Sequence, residues 1–313
     1  MTPTVSVVVP IFNEEDNLEE LYRRVTEVMV GTGESYELVL VDDGSKDRSW
    51  DLIARFADED LRVHGVLFSR NFGHQMAFTA GLDHARGEAV VIMDGDLQDP
   101  PELIPTFLER WREGYEVVYG VRAARTGETR FKRWTAGAFY RVLHALTSVP
   151  IPLDTGDFRL MGPKAVAAFR RLPERHRFTR GMVSWLGFPQ TGVSFERPVR
   201  KRGETKYTLR AMLRLASNGI FSFSLLPLQL ITWLGGATAL AAGSGLVAGV
   251  VWRLCGGVVP LTWLLLAAAL GLGGLNLLGL GVLGIYLGRV HEQVQGRPLY
   301  IVQETVGGAA EAR

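Results

Sequence analysis

The chain has 313 residues, of which 47% are hydrophobic and 21% charged, and its formal net charge is +1. That length fits one large domain or two smaller ones, and the near-neutral balance gives no basic field of the kind that draws a protein onto nucleic acid. A single cysteine, Cys255, excludes an intrachain disulfide and a cysteine-only metal cage.

The N-terminus, Met1-Thr2-Pro3-Thr4, lacks the basic and apolar regions of a signal peptide. Val5 to Val9 reads as a first strand, ending at Pro10 and followed by Ile11-Phe12-Asn13-Glu14-Glu15. A helical stripe then runs through Leu18, Leu21, Val25 and Val28, with Asn13 or Asp16 able to cap it. Tyr36 to Val41 is a second strand, closed by Asp42-Asp43-Gly44-Ser45, and Asp47 can cap a helix carrying Trp50, Ile53 and Phe56. A third strand, Val63 to Phe68, leads through Ser69-Arg70-Asn71-Phe72-Gly73 into a helix reaching Ala85. Ala89 to Met93 is a fourth and stops at Asp94-Gly95-Asp96-Leu97-Gln98-Asp99-Pro100-Pro101, where the prolines suit a helix start. A fifth strand, Glu116 to Tyr119, ends at Gly120-Val121-Arg122.

This alternation with short links predicts a parallel, doubly wound α/β sheet. Polar clusters recur at the strand C-termini, the edge at which such sheets bind ligands. There is no Gly-x-Gly-x-x-Gly after the first strand and no Gly-Lys-Ser/Thr loop, so neither a dinucleotide fingerprint nor a P-loop is supported. Carboxylates at this edge suit a nucleotide held by base and ribose, with its diphosphate bridged to Asp94 and Asp96 by a divalent cation. Oxygen ligands favour Mg²⁺ or Mn²⁺.

Three motifs, Pro10-x-x-Asn13-Glu14-Glu15, Val41-Asp42-Asp43-Gly44-Ser45-x-Asp47 and Asp94-Gly95-Asp96-Leu97-Gln98-Asp99-Pro100-Pro101, stand in that order on successive strand ends. Together they resemble the inverting GT-A glycosyltransferases of family 2. Within it the chain is most similar to the polyprenyl-phosphate glycosyltransferases, which include bactoprenol glucosyltransferases and dolichol-phosphate mannose synthases. The resemblance reaches to about residue 290. It implies a Rossmann-like GT-A domain in which Pro10, Phe12, Asn13, Glu14, Val41, Asp42 and Asp43 bind the nucleoside. Asp94, Gly95, Asp96 and Gln98 would hold metal and diphosphate, and Arg122 would sit by the donor phosphates or sugar. Phe12 stands where many relatives carry Tyr, which removes a hydroxyl and keeps a stacking ring.

Arg125, Arg130, Lys132, Arg133 and Arg141 follow, interleaved with Phe131, Trp134, Phe139 and Tyr140. Such a segment can lie on an anionic membrane surface or grip a phosphate. Asp157, in Asp154-Thr155-Gly156-Asp157-Phe158-Arg159, matches the position the family is proposed to use as catalytic base. A lipid monophosphate acceptor, with a second pKa of about 6, needs little deprotonation at neutral pH. Asp157 therefore reads either as a base or as an orienting group. Phe178 to Phe188 is amphipathic, with aromatics suited to a membrane interface. Arg200-Lys201-Arg202-Gly203-Glu204-Thr205-Lys206 resembles the family's basic loop, in which Arg200 and Lys206 would contact phosphates and stabilise departing charge, with Arg202 an additional candidate.

From Leu215 to Gly288 the only Asp, Glu, Lys or Arg is Arg253. Phe221 to Trp252 and Leu254 to Gly288 each fit one transmembrane helix of roughly 20 or more residues. Lys and Arg crowd the approach to the first and follow the second, which predicts an inner-membrane protein with catalytic domain and C-terminus in the cytoplasm. Gly245-x-x-x-Gly249 and Gly284-x-x-x-Gly288 permit homo-oligomeric packing.

The expected organisation is a GT-A core over 1–165, an amphipathic juxtamembrane segment over 166–220, two membrane helices over 221–290 and a cytoplasmic tail over 291–313. The expected reaction moves a hexose, glucose from UDP-glucose in the first reading, onto undecaprenyl or another polyprenyl phosphate. GDP-mannose with dolichyl phosphate is the second reading and a non-catalytic membrane scaffold the third. A processive synthase would carry Gln-x-x-Arg-Trp, but Arg130 stands where its Gln should be.

Overall fold

The computed structural model describes residues 2–122, 155–196, 226–256 and 261–307. Strand and helix alternate as β1 (Val5–Ile11), α1 (Glu15–Thr32), β2 (Tyr36–Asp42), α2 (Ser49–Glu59), β3 (Val63–Phe68), α3 (His74–His84) and β4 (Ala89–Ile92). A 3₁₀ turn, Pro101–Leu103, opens α4 (Ile104–Arg112), and β5 (Val117–Arg122) follows. Further on come β6 (Thr155–Met161), α5 (Pro163–Arg170), α6 (Thr179–Trp185) and β7 (Gln190–Phe195). The last elements are α7 (Leu226–Leu254), α8 (Leu261–Val294) and β8 (Val302–Val306).

One eight-stranded sheet has the order β7-β5-β6-β4-β1-β2-β3-β8. Period-two alternation sends Val5, Val7 and Val9 to one face, where they meet Leu18, Leu21 and Val25 of α1 and Phe56 of α2. Val8, Val39 and Val41 go to the other face, against Ala77 and Phe78 of α3 and Phe169 of α5. Each such side chain, fully buried, contributes about 1.5–3 kcal/mol relative to exposure. The strands between β3 and β4 are therefore buried on both faces, and that is why they read as continuous apolar runs.

The sheet departs from the expected all-parallel arrangement at two strands. β6 runs antiparallel between β4 and β5, and β8 runs antiparallel along β3. Asp157 therefore lies inside a strand, not in a loop ahead of one. An apolar strand after Asp157 is legible, but its direction is not, because it follows a long basic segment with no strand–helix repeat. β8 is a mostly polar edge strand, Val302-Gln-Glu-Thr-Val306, so it carries no hydrophobic run to betray it.

Two other local expectations change. Neither Asn13 nor Asp16 caps α1; Glu14 occupies the cap position with no side-chain cap bond. The neighbouring loop serves instead, as Ser49 Oγ accepts the Glu14 N–H at 3.0 Å and Asp47 Oδ2 accepts the Glu15 N–H at 3.1 Å. Asp47 Oδ1 also accepts the Ser49 N–H at 3.0 Å, so one carboxylate serves the starts of α1 and α2. Phe178, just ahead of α6, and Met182 and Val183 within it face the core, and Trp185 is exposed.

α7 and α8 hold the stretches Leu228–Leu254 and Gly271–Val294, each long and apolar enough to cross a membrane. Beyond α8 the chain returns to the sheet as β8, within the segment 291–313 read as a tail.

Candidate active site

The site forms at the C-terminal edge of β1, β2, β3 and β4, whose following loops meet, with Arg122 at the end of β5 beside them. The β1 and β2 loops are stitched together. Asn13, at φ 53, sits in the left-handed region that Asn tolerates. Its N–H donates to Ser45 Oγ at 2.9 Å, and its Oδ1 accepts the Lys46 N–H at 2.8 Å. Glu14 Oε2 accepts Asn17 Nδ2–H at 2.6 Å. Asp42 is buried and accepts the Ser45 N–H at 2.7 Å, leaving Oδ2 without a partner. Burial raises its pKa. Gly44, at φ 70, has the Arg70 carbonyl carbon 2.6 Å from where a Cβ would stand, so only glycine fits there.

Asp43 reaches across to the next loop. Its carboxylate accepts the Phe72 N–H at 2.6 Å and the Gly73 N–H at 2.9 Å, just ahead of α3. Burial pushes it up to about 6 against those bonds. Val41 is fully buried and pairs with Pro10, so its side chain belongs to the core.

At the end of β4, Asp94 and Asp96 are half-buried while Gln98 and Asp99 are buried. The loop is closed by its own carboxylates. Asp99 Oδ2 accepts the Asp94 N–H at 3.1 Å and Asp96 Oδ1 accepts the Gln98 N–H at 3.1 Å. Leu97, at φ 61, holds a backbone conformation costly for a leucine. Asp99 Oδ1 is buried with no partner. Burial, and then the Asp94 charge, lift Asp99 to about 7. Asp94 is raised by burial and by its acidic neighbours Asp157 and Asp96, with His74 and Arg122 opposing.

Asp157, in the middle of the sheet, is 5% exposed and ringed by cations. Arg180 Nε–H donates to its Oδ1 at 3.1 Å, and Thr179 Oγ1 lies 3.3 Å from the same oxygen. His74 Nε2 lies 3.3 Å from Oδ2 and 3.5 Å from Asp94 Oδ1, bridging the two acids. Arg159 NH2 is 3.7 Å away. Burial alone would raise Asp157, but Arg180, His74 and Arg159 outweigh it and hold it well below the usual carboxylate range. The two acids in turn raise His74 to about 9 against burial. Gln75 Oε1 accepts both the N–H and the hydroxyl of Thr179, at 2.9 and 2.6 Å. Arg122 lies over Gly156, where a Cβ would sit 2.6 Å from its NH2.

Among the described residues, no group of three or more His, Cys, Asp or Glu is arranged to hold a metal alone. The donor set does fit a hard cation shared with a diphosphate. Two half-buried carboxylates, a third with a buried unpaired oxygen and a raised pKa are the signs of a site short of positive charge.

Asp94, Asp96, Gln98, Arg122 and Asp157 thus come together, Phe12, Asn13, Glu14 and Asp43 lie on the adjoining loops, and Pro10 and Asp42 are buried near the ends of β1 and β2. Arg200, Arg202 and Lys206 lie outside the described residues, as does the basic stretch from Arg125 to Arg141. The sequence reading missed His74, Gln75, Asp99, Arg159, Thr179 and Arg180. His74 and Gln75 follow β3 on the same edge that marked the other clusters, so position alone could have found them. Arg180 was hidden in a segment read for its aromatics.

Residues 6–169 match the family description Glycosyl transferase family 2. The chain belongs to glycosyl transferase family 2. It is 49% identical over 306 residues to the uncharacterized glycosyltransferase YkcC of Bacillus subtilis (strain 168), covering 96% of this chain and 94% of that one. It is 38% identical over 309 residues to the bactoprenol glucosyl transferase of Shigella phage SfII, covering 97% and 99%. Among solved structures it resembles mannosyl-3-phosphoglycerate synthase from Rubrobacter xylanophilus, with TM-score 0.50, 18% identity, and 69% and 71% of the two chains covered. That likeness concerns the fold. The protein is a family 2 glycosyltransferase with a GT-A-type mixed sheet and two long apolar helices.

Proposed function

We propose that this glycosyltransferase moves glucose from UDP-glucose onto a polyprenyl phosphate at the inner membrane. One observation carries the reading. On a single chain, an acidic diphosphate edge is joined to two apolar helices, and the 38% likeness to a bactoprenol glucosyl transferase extends over 97% of the chain, both parts included. A polyprenyl phosphate keeps its tail in the bilayer and its phosphate at the surface, and such a lipid requires an anchored enzyme. The charge pattern supports a cytoplasmic catalytic core.

In this mechanism Asp94 and Asp96, with Gln98 and Asp99 behind them, would hold Mg²⁺ or Mn²⁺ together with the donor diphosphate. When bound, the ion neutralises charge on the leaving UDP. The loops bearing Pro10, Phe12, Asn13, Glu14, Asp42 and Asp43 hold the nucleoside, and Arg122 takes the phosphates or sugar. The acceptor phosphate oxygen attacks the anomeric carbon, the bond to the UDP oxygen breaks on the opposite face, and configuration inverts. A phosphate ester with a second pKa near 6 arrives largely as a dianion, so no proton need be removed. Asp157 is held too acidic to act as an efficient base near neutral pH. Its role is to aim Arg180 and His74, whose charges attract the incoming phosphate. Arg200, Arg202 and Lys206 add cations from the basic loop.

The test is a donor panel. Purified protein in vesicles with undecaprenyl phosphate and Mg²⁺ or Mn²⁺ is given UDP-glucose, UDP-GlcNAc or GDP-mannose, and the lipid product is weighed by mass spectrometry. A hexosyl-phosphate lipid from UDP-glucose alone is expected. Turnover of GDP-mannose alone would replace the donor, and turnover of none would leave only a scaffold.

A further inference from the structure

α8 ends in polar residues. Its last turn carries His291, Glu292 and Gln293, and it meets the loop between α5 and α6. Gln293 uses both ends of its amide there. Its Nε2 donates to the Pro173 carbonyl at 2.7 Å, and its Oε1 accepts the Arg175 N–H at 3.0 Å. Glu292 Oε2 lies 2.9 Å from His176 Nε2, and the Arg175 guanidinium donates back to the Arg297 carbonyl. The chain then turns at Gly296 and lands on the sheet. The Tyr300 hydroxyl donates to Asp83 Oδ2 at 2.9 Å, and its ring stacks on Phe68 at 4.9 Å. The Ser69 N–H donates to the Ile301 carbonyl at 3.0 Å, and β8 continues the ladder along β3.

Both landing places run directly into the site. The first loop is pinned by side-chain bonds. Buried Arg177 donates to the Glu174 carbonyl at 3.1 Å and the Leu172 carbonyl at 2.6 Å, with Thr79 Oγ1 3.4 Å away. A shift at Pro173 or Arg175 therefore carries to Thr179 and Arg180, which hold Asp157. The second landing is on β3 and on Asp83 in the last turn of α3. β3 leads to Phe72 and Gly73, then to His74 and Gln75. The segment thus grips both elements that supply the partners of Asp157.

The geometry points to residues 291–306 as a clasp that sets Arg180, Thr179 and His74 around Asp157 relative to the emerging apolar helix, with Gln293 and Tyr300 as its positioning residues. This rests on the function proposed above. An amide bonded at both ends to backbone fixes translation and rotation together. Misplacement by about 1 Å, even from afar, can cost up to about a hundredfold in rate. Simple cover for the β3 edge would explain β8, but not the double bond of Gln293 to a loop outside the sheet.

The full-length protein in vesicles, with UDP-glucose and undecaprenyl phosphate, provides the test. Gln293→Ala is expected to lower kcat about tenfold while UDP affinity stays within about twofold. In an Arg180→Lys background the same change should add less than about twofold, because both act through one contact. Tyr300→Phe, which keeps the stack, should recover most of what Tyr300→Ala loses. Wild-type kcat in Gln293→Ala, or full multiplication of its effect with Arg180→Lys, would overturn the clasp. Should the wild-type protein transfer no sugar, the function above fails. The clasp is then read from amide hydrogen exchange over residues 155–185, expected faster in Gln293→Ala and refuting it if unchanged.

Discussion

Two buried acidic clusters occupy opposite ends of the same strands. At the N-terminal ends of β1, β2 and β3, Glu37 is 2% exposed. It accepts hydrogen bonds from Ser6 Oγ at 2.5 Å, the Arg86 N–H at 2.6 Å and Arg86 Nε at 2.9 Å, with His64 Nε2 at 3.3 Å. Burial would raise it, yet those donors bring it down to about 2. At the C-terminal ends, Asp99 is as deeply buried, keeps one oxygen unpaired and rises to about 7. The fold satisfies the carboxylate that it uses for its own cohesion. At the other end it leaves an oxygen of Asp99 buried without a protein partner, as the function proposed above requires of a residue that helps hold a ligand.

The strongest way to break this contrast is to remove charge from the unsatisfied end. Asp94→Asn should cut sugar transfer about a thousandfold, the scale seen when preorganised charge stabilisation is lost. Its melting temperature should hold or rise, because repulsion with Asp96 and Asp157 is relieved. Product mass and a melting scan on the same sample check both halves. A collapse of the fold would make Asp94 a second Glu37.

Asp157 lies between the two classes, buried and fully partnered yet inside the site. Asp157→Asn should lower kcat about a hundredfold through the loss of Arg180 and His74 alignment. Asp157 is ionised throughout the working range, so the wild-type rate should show no ascending limb that this substitution abolishes. Such a limb, present in wild type and absent in the variant, would restore it as the base.

This contrast also explains what could be seen in the sequence. The parallel strands were legible because burial on both faces leaves uninterrupted runs such as Val5 to Val9, and the carboxylates stood out because polar residues abruptly end them. Asp94 and Asp96 were found in this way. Arg180 was not, since its partner Asp157 is distant in sequence and only the antiparallel β6 brings them together. β8 was hidden for a related reason. Its pairing with β3 is made by backbone, and its side chains, Gln303, Glu304 and Thr305, look like those of a solvated tail.

At the satisfied end the signs reverse. Glu37→Gln should leave kcat per folded molecule within about twofold. Stability should fall by about 2 kcal/mol, the scale for hydrogen bonds to a charged group, with half-exposed Arg86 recovering some solvation. The pH dependence follows. Because the folded pKa lies below the unfolded one, Glu37's contribution is complete above about pH 4.5 and is lost as pH falls towards about 2. Acid melts of wild type and Glu37→Gln should therefore converge across that window. Parallel curves would show that the network does not depend on the charge.

The smallest effect is the sharpest discriminator, because Asn13 stands on the catalytic edge and yet is bonded like Glu37. Its N–H and Oδ1 are both engaged with the β2 loop. Asn13→Gly loses the bond to the Lys46 N–H, worth about 1 kcal/mol. It also frees a residue held at φ 53, and glycine takes that conformation without steric cost. The two terms nearly cancel, so stability should change by less than about 0.5 kcal/mol. If Asn13 only stitches the two loops, UDP affinity measured by calorimetry stays within about twofold. If it instead holds the nucleoside, affinity falls about tenfold with no change in melting. Asn13 would then join Asp94 and Asp99 among the residues whose partner comes from outside the fold.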